Sequence, residues 1–385
     1  MENTQIKITP KKAEEILFQR YNIKGKAFEL PGYTDYNFRI KIDNENCYVL
    51  KISREDADEN FLLFLQDILL YLEKNTADII LPKIIADKAG NYTSEVFDEN
   101  KNKQNIRLLS WVSGRIWSQV NPQLDSLRFS LGEQCGLLTK ALQGFNHPQA
   151  HGVFEWDTAQ SLWTKDHLHL FNSEEHQVLS YFQNLFETHL TSYNQLRKSI
   201  IHNDANDNNI IVTEDLENPK VKSIIDFGDA IYSQIINDVA ISCSYAIMEH
   251  NDPLNAAIPI ISGYHASFPL EEKELKHVYN AIAMRLVISY TASMINQKKE
   301  PDNAYLQISA KPAWELLKKW KQVDPDFAEY TFRVTCGFSA HPNQQKFENW
   351  AKEHTFSLST LFPTINRTEI HHLDLSVSST FPGHQ

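Results

Sequence analysis

One segment of the 385-residue chain is dense in groups that do chemistry: Ile200-Ile201-His202-Asn203-Asp204-Ala205-Asn206-Asp207-Asn208-Asn209-Ile210-Ile211-Val212. A β-type pair enters it and a β-type triplet leaves it, so the polar residues between form a loop held by strands. Seventeen positions after Asn209 stands Asp226, within Ile224-Ile225-Asp226-Phe227-Gly228-Asp229, an apolar run that ends in an acidic turn. Transfer of a phosphoryl group from a nucleoside triphosphate needs such parts. One carboxylate must sit beside the attacking hydroxyl, orient it and accept its proton, and further oxygen ligands must hold Mg2+ against the triphosphate. In the pattern H-x-D-x-x-x-x-N followed by D-F-G, the first Asp takes the hydroxyl while the Asn and the second Asp take the metal.

Asp, Asn and Gly are common turn residues, so either loop alone reads equally as turn chemistry. Three fixed residues of average usage match by chance at roughly one site in ten thousand. An ordered D-F-G behind an apolar strand lowers that by a further factor of about a thousand. Together the two loops mark a catalytic or ATP-binding site for phosphoryl transfer.

The elements that must position these loops read as follows. Residues 11 to 20 suggest a short helix leading into irregular chain. Asn37 to Ile42 alternates Phe38, Ile40 and Ile42 against Arg39 and Lys41, and Cys47 to Ile52 follows across a polar turn, which reads as a β-hairpin. Asp56 to Lys74 is a helix with acids at its start, where the macrodipole favours them. Leu81 to Ala86 and Ile106 to Val112 are strand candidates. Beyond residue 122 helical patterns dominate, roughly 124 to 143, 159 to 170, 174 to 196, 237 to 249, 271 to 296 and 311 to 321. Strands first and helices later argue for an α+β chain of two lobes: a small β-rich one over 1–112 and a larger helical one over 113–365. Residues 366–385 read as a weakly ordered tail.

Bulk properties narrow the partners. Formal charge is −12, from 49 acidic against 37 basic residues, which disfavours nucleic acid and anionic membrane surfaces as partners. It suits a cationic small molecule. The four cysteines, Cys47, Cys135, Cys243 and Cys336, show no metal-site spacing and read as reduced, mostly buried thiols. Residues Met1 to Pro10 lack the apolar core of a signal peptide, and no apolar run looks long enough to span a bilayer. A cytoplasmic protein is the expectation.

The segments H-N-D-A-N-D-N-N-I-I-V and I-I-D-F-G-D-A resemble the aminoglycoside phosphotransferase/choline kinase superfamily. The extra Asp207 inside the loop resembles the hydroxylysine kinase branch, as do Gly32-Tyr33-Thr34-Asp35-Tyr36-Asn37-Phe38, Tyr48-Val49-Leu50-Lys51-Ile52 and Asn237-Asp238-Val239-Ala240. The resemblance covers roughly residues 28 to 345. It implies a bilobal protein-kinase-like fold and an ATP-dependent kinase that uses Mg2+ to phosphorylate a hydroxyl of a small molecule. In the same terms, Asp204 is the catalytic base and His202 braces its loop. Asn209 and Asp226 hold Mg2+, and Lys51 reaches the α- and β-phosphates. Residues 31–37, with Gly32, Tyr33, Thr34 and Asp35, cover the triphosphate. Leu108 to Val112, with Leu109, Ser110 and Trp111, form the hinge whose backbone meets adenine. Asp238 pins the catalytic loop.

Some residues need partners that the sequence does not name. Lys51 shares a strand face with Cys47 and Val49, so it either has an acidic partner or snorkels to the surface. Glu59, Gln66 and Asp67 all remain candidates for that partner. Arg285 lies among Ala281, Ile282, Met284, Leu286 and Val287 and must be paired. An acceptor carboxylate is one possible partner, which puts Arg285 with Asp207 and Asp229 among the acceptor-contact candidates. His147, Trp156 and Asp157 read as packing residues. The loop at 31–37 has a single glycine, Gly32, unlike the G-x-G-x-x-G loop of protein kinases. Asp238 follows Asp226 by only twelve positions, which leaves no room for a regulated activation loop. A hydroxylysine-like amino acid is the favoured acceptor, with aminoglycoside, homoserine and choline or ethanolamine as alternatives. A non-catalytic nucleotide-binding pseudokinase is the rival of another class.

Overall fold

A computed structural model describes residues 8–32, 35–43, 47–54, 57–76, 78–97, 102–299 and 310–354. The first helix, α1 (Pro10–Tyr21), starts at Thr9, whose hydroxyl accepts the Lys12 N–H, and ends at Asn22 in the left-handed conformation. Chain expected to be irregular follows as β1 (Lys26–Leu30), which pairs antiparallel with β2 (Asp35–Lys41). Only Ala27 of β1 is buried, so the strand owes its order to that pairing more than to an alternating pattern. β2 and β3 (Cys47–Ser53) are the two arms of the hairpin. Next come α2 (Glu59–Asn75), capped by the Asp58 carboxylate, then β4 (Ile84–Ile85), β5 (Ser94–Phe97) and β6 (Lys103–Ser110). β4 is shorter than the expected strand because Pro82 cannot donate to a ladder.

The sheet runs β1-β2-β3-β6-β4 with β5 also on β6. Phe38, Ile40, Leu50, Ile52, Ile106 and Leu108 point to one face and form a core with Ala13, Ile16 and Leu17 of α1. Burying each such aliphatic side chain stabilises by about 1.5–3 kcal/mol. The period-2 rule sends their neighbours to the other face, where register aligns Asn37, Lys51 and Arg107 across three strands.

The second lobe carries three short-strand pairings and most of the helices. Its elements are β7 (Arg115–Ile116), α3 (Asp125–Ala141), α4 (Ser173–Tyr193), β8 (Lys198–Ile201), β9 (Ile210–Val212), β10 (Val221–Ile224), β11 (Ile231–Gln234), α5 (Ile236–Ala246), α6 (Pro253–Ser267), α7 (Glu272–Lys299), α8 (Ala310–Trp320), α9 (Pro325–Thr335) and α10 (Gln344–Glu353). The expected helix at 159–170 is a run of 3-10 turns over Thr158–Leu170, where hydroxyls such as Thr164, bonded to the Ser161 carbonyl, compete for the backbone. α6 has no counterpart in the sequence reading, since Pro259 interrupts its pattern and apolar residues surround it. It packs backbone to backbone on α3: a Cβ on Gly132 would lie 1.9 Å from the Ile260 carbonyl oxygen. β10 and β7 flank β9, and β11 pairs with β8, so strands clamp both chemical loops. By length and composition α7 could cross a membrane, contrary to the expectation that no segment could. It is a core helix here, with 83% of its apolar window buried.

Candidate active site

β8 delivers the loop 202–209 and β9 takes it away. Within it, Asp238 at the start of α5 accepts the backbone N–H of His202 at 3.2 Å and of Asn203 at 2.9 Å. These bonds hold Asn203 at φ 64°, a conformation Asn tolerates through its short polar side chain. Burial pushes the Asp238 carboxyl up to about 6 against the two N–H bonds. His202 is buried, and burial lowers its imidazole to about 4. The neutral ring donates from Nε2 to the Ile225 carbonyl at 3.1 Å and accepts the Asp204 N–H on Nδ1 at 3.2 Å. It therefore ties the catalytic loop to the strand that carries Asp226.

Three donors converge on the Asp204 carboxylate. Asn209 Nδ2 donates to Oδ2 at 2.7 Å, Asn206 Nδ2 lies 3.0 Å from both oxygens, and Arg285 donates to Oδ1 at 2.9 Å. Burial and the charge of Asp229 raise the Asp204 carboxyl well above the ordinary range, while Arg285 opposes them. Asp229 is itself pushed up to about 6, first by burial, with Asp226 adding to it and Arg285 and Lys51 opposing.

Asp226 lies just beyond β10 with φ 65°, and Lys51 Nζ donates to its Oδ1 at 3.0 Å. That ammonium holds the Asp226 carboxyl below its usual value, against the partial loss of water around it. The partner of Lys51 is therefore none of the three sequence candidates. Glu59 pairs with Lys103, Gln66 accepts from Thr93 at 3.1 Å, and Asp67 lies 3.8 Å from His147. Asn209 gives its amide nitrogen to Asp204, which leaves Oδ1 as an oxygen donor, and its carbonyl accepts the N–H of Ile225, the residue before Asp226. Two hard oxygen ligands fit a cation that takes its remaining ligands from phosphates and water, as Mg2+ does. Among the described residues no cluster of three His, Cys, Asp or Glu could hold a metal by itself.

Other assignments change. Asp35, expected over the triphosphate, is ion-paired with Arg107 at 2.8 Å on the sheet, both nearly buried, so it anchors the end of the loop instead. Gly32 is required where it stands: a Cβ there would lie 2.1 Å from Asn37 Nδ2. Tyr33 and Thr34 lie outside the described residues. At the hinge, Leu109 is held mid-sheet opposite Val49 and Ile84. Ser110 N–H donates to Lys83 O at 2.8 Å, and Trp111 N–H to Cys47 O at 3.1 Å. Both N–H groups are thus committed within the protein, and the Trp111 ring stacks on the Arg39 guanidinium at 4.2 Å. Asp207 does not join the Asp204 carboxylate: its own carboxylate meets Asn208 at 3.4 Å and its carbonyl accepts from Ser118. Arg285 does not present itself to an acceptor either, because its side chain is 1% exposed and bound to Asp204.

Sequence reasoning gave no role to Asn206, Arg107 or Tyr245. Asn206, two residues from Asp204, had a local signal in its capacity to bond back along the loop. Arg107 had one as a lone charge in an apolar strand. Tyr245, in a helix buried on every side, had none.

Two lobes, one a twisted antiparallel sheet with a lysine on its inner face and the other carrying a strand-held H-x-D-x-x-x-x-N loop and D-F-G turn, define a protein-kinase-like phosphotransferase. Residues 28–272 match the model of the phosphotransferase enzyme family, and the chain belongs to it as a small-molecule kinase. Hydroxylysine kinase of Xenopus laevis is 28% identical over 342 residues, which cover 83% of this chain and 91% of that protein. Hydroxylysine kinase of Mus musculus is 27% identical, covering 77% and 84%. Among solved structures, an amicoumacin kinase in complex with AMP-PNP and Ca2+ superposes with a TM-score of 0.61 at 16% identity, covering 82% of this chain and 97% of that one.

Proposed function

We propose that this chain transfers the γ-phosphoryl group of ATP to a hydroxyl of a small amine-bearing metabolite, a hydroxylysine-like amino acid, in the cytoplasm. The observation that carries the residue roles is the linked set Lys51–Asp226 and Asn209–Asp204–Arg285, drawn from both lobes into one cleft by bonds of 2.7–3.0 Å. Asp204 receives the acceptor hydroxyl, orients it and takes its proton as the new P–O bond forms and the bond to ADP breaks. Lys51 gives up Asp226 for the α- and β-phosphates. Asn209 Oδ1 and the Asp226 carboxylate would hold Mg2+, which when bound offsets phosphate charge and aligns the γ-phosphoryl. Since Ser110 and Trp111 donate inside the protein, adenine is met by carbonyls of this stretch or by N–H groups beyond it.

The acceptor class follows from charge. Asp204, Asp226 and Asp229 act on one another, and the two cations among them are already paired. An ammonium on the acceptor relieves that excess, whereas an anionic acceptor adds to it. The hydroxylysine kinases among its relatives support the same class. The pseudokinase reading loses ground because base, metal ligands and lysine all converge. The test is ADP release from Mg·ATP with hydroxylysine, homoserine, choline, ethanolamine and kanamycin, using Asp204→Asn as the blank. Stimulation by hydroxylysine alone is expected. Silence with every acceptor, together with intact Mg·ATP binding, would instead favour the pseudokinase.

A further inference from the structure

The Arg285 guanidinium has no part in the steps above, yet it is the most elaborately held cation near the cleft. Its Nε donates to Tyr245 Oη at 3.3 Å, Nη1 to the Trp156 carbonyl at 2.9 Å and Nη2 to Asp204 Oδ1 at 2.9 Å. The rings of Trp156 and Tyr245 lie 4.9 and 5.6 Å from it. Arg285 rises from α7 among Ala281, Ile282, Met284, Leu286 and Val287, all fully buried, so its backbone has little room to shift. The guanidinium therefore joins four parts of the lobe: α7, α5, the segment before the 3-10 run, and the catalytic loop.

A cation that only balanced charge would not need three directed bonds; a planar fork fixes direction as well as sign. The Asp204 side chain keeps 20% of its surface exposed while Arg285 keeps 1%, so a hydroxyl can reach the carboxylate and nothing can reach the guanidinium. We infer that Arg285 is a positioning residue: with Asn209 on the other oxygen, it fixes the plane of the Asp204 carboxylate so that the acceptor hydroxyl meets it in one orientation. This deepens the proposed mechanism and rests on Asp204 being its base.

Such a residue controls turnover and not binding. In Arg285→Gln and Arg285→Lys, each checked for folding by thermal melting and Mg·ATP titration, kcat should fall about 100-fold, the usual consequence of misplacing a reacting group by an ångström. KM for ATP and for the acceptor should stay within about threefold, because what is lost is stabilisation of the transition state and not of the bound substrates. Millimolar guanidinium should restore part of the kcat lost in Arg285→Ala. If Arg285→Ala does not fold, the lysine variant decides alone, since it keeps the charge and loses the fork. Unchanged kcat in the lysine and glutamine variants, or a raised acceptor KM with unchanged kcat, overturns the positioning role. Asp204→Asn is measured beside them. Retained turnover there sinks the base assignment itself, whereas a silent Asp204→Asn with an unaffected Arg285→Gln sinks only the inference about Arg285.

Discussion

Two cations serve the cleft from opposite lobes, and their settings differ. Lys51 is 16% exposed and its partner Asp226 44%, while Arg285 is 1% exposed and Asp204 20%. An open pair between single donor and acceptor atoms costs little to break, so Lys51 and Asp226 can each turn to a ligand. A buried guanidinium with three directed bonds cannot leave, because an uncompensated buried charge is expensive. On the proposed roles, the nucleotide side is thus built from exchangeable contacts and the acceptor side from fixed ones. That division suits a reaction in which a triphosphate must enter and leave while the base stays in place.

The comparison can be tested by breaking each side in turn. Asp204→Asn should lower turnover by at least about 100-fold, the contribution typical of a general base, with Mg·ATP affinity nearly unchanged by calorimetry. Turnover above about a hundredth of the original would place the base elsewhere. On the open side, Lys51→Met should weaken ATP binding about 10- to 100-fold, as expected for one charge-assisted hydrogen bond. The same variant should leave the melting temperature almost where it was. A large drop in melting temperature with unchanged affinity would make this pair structural and remove the contrast. Asp226→Ala should weaken Mg·ATP binding as well, which a titration with and without Mg2+ would separate from any effect on ATP alone.

Smaller effects sharpen the picture. Asp238→Asn turns one of the two carboxylate oxygens that accept buried N–H groups into an NH2 donor, so urea unfolding should show a loss of about 1–3 kcal/mol. An unchanged urea midpoint would mean that the loop is held by His202 instead. On α7, eight residues before Arg285, burial lowers the His277 imidazole to about 4. The unfolded chain binds this proton near pH 6.5 and the folded chain only near 4, so this contribution to stability is complete above 6.5 and declines as pH falls between those values. His277→Gln should flatten the fall of melting temperature over that window, and an equally steep fall would show that other groups govern it.

The loop and turn of the candidate site were legible because their signal is local: residue types at fixed spacing between apolar β runs mark the loop and the D-F-G turn. The β2–β3 hairpin and α1, α3, α4, α5, α7 and α8 were legible to within a few residues for the same reason, through periodicity. α6 was not, since a helix buried all round carries no polar stripe and Pro259 reads as a break. β1 was missed because its order comes from a neighbour. The Asp35–Arg107 pair was not legible because an acid next to a phosphate loop has the same local appearance whether it faces ligand or an arginine.

The sequence by itself determined which residues could act as base, metal ligand and phosphate lysine, and that a β-rich lobe precedes a helical one. Tertiary structure alone decided who pairs with whom: Lys51 with Asp226 across 175 positions, Arg285 with Asp204 across 81, and Asp35 with Arg107 across 72. The reason is physical. Periodicity and motif spacing report on the few residues around a position, whereas an ion pair forms wherever the packing of distant elements brings two charges to about 3 Å. Glu59, Gln66 and Asp67 had equal claim to Lys51 by sequence, and the fold gave each of them another neighbour.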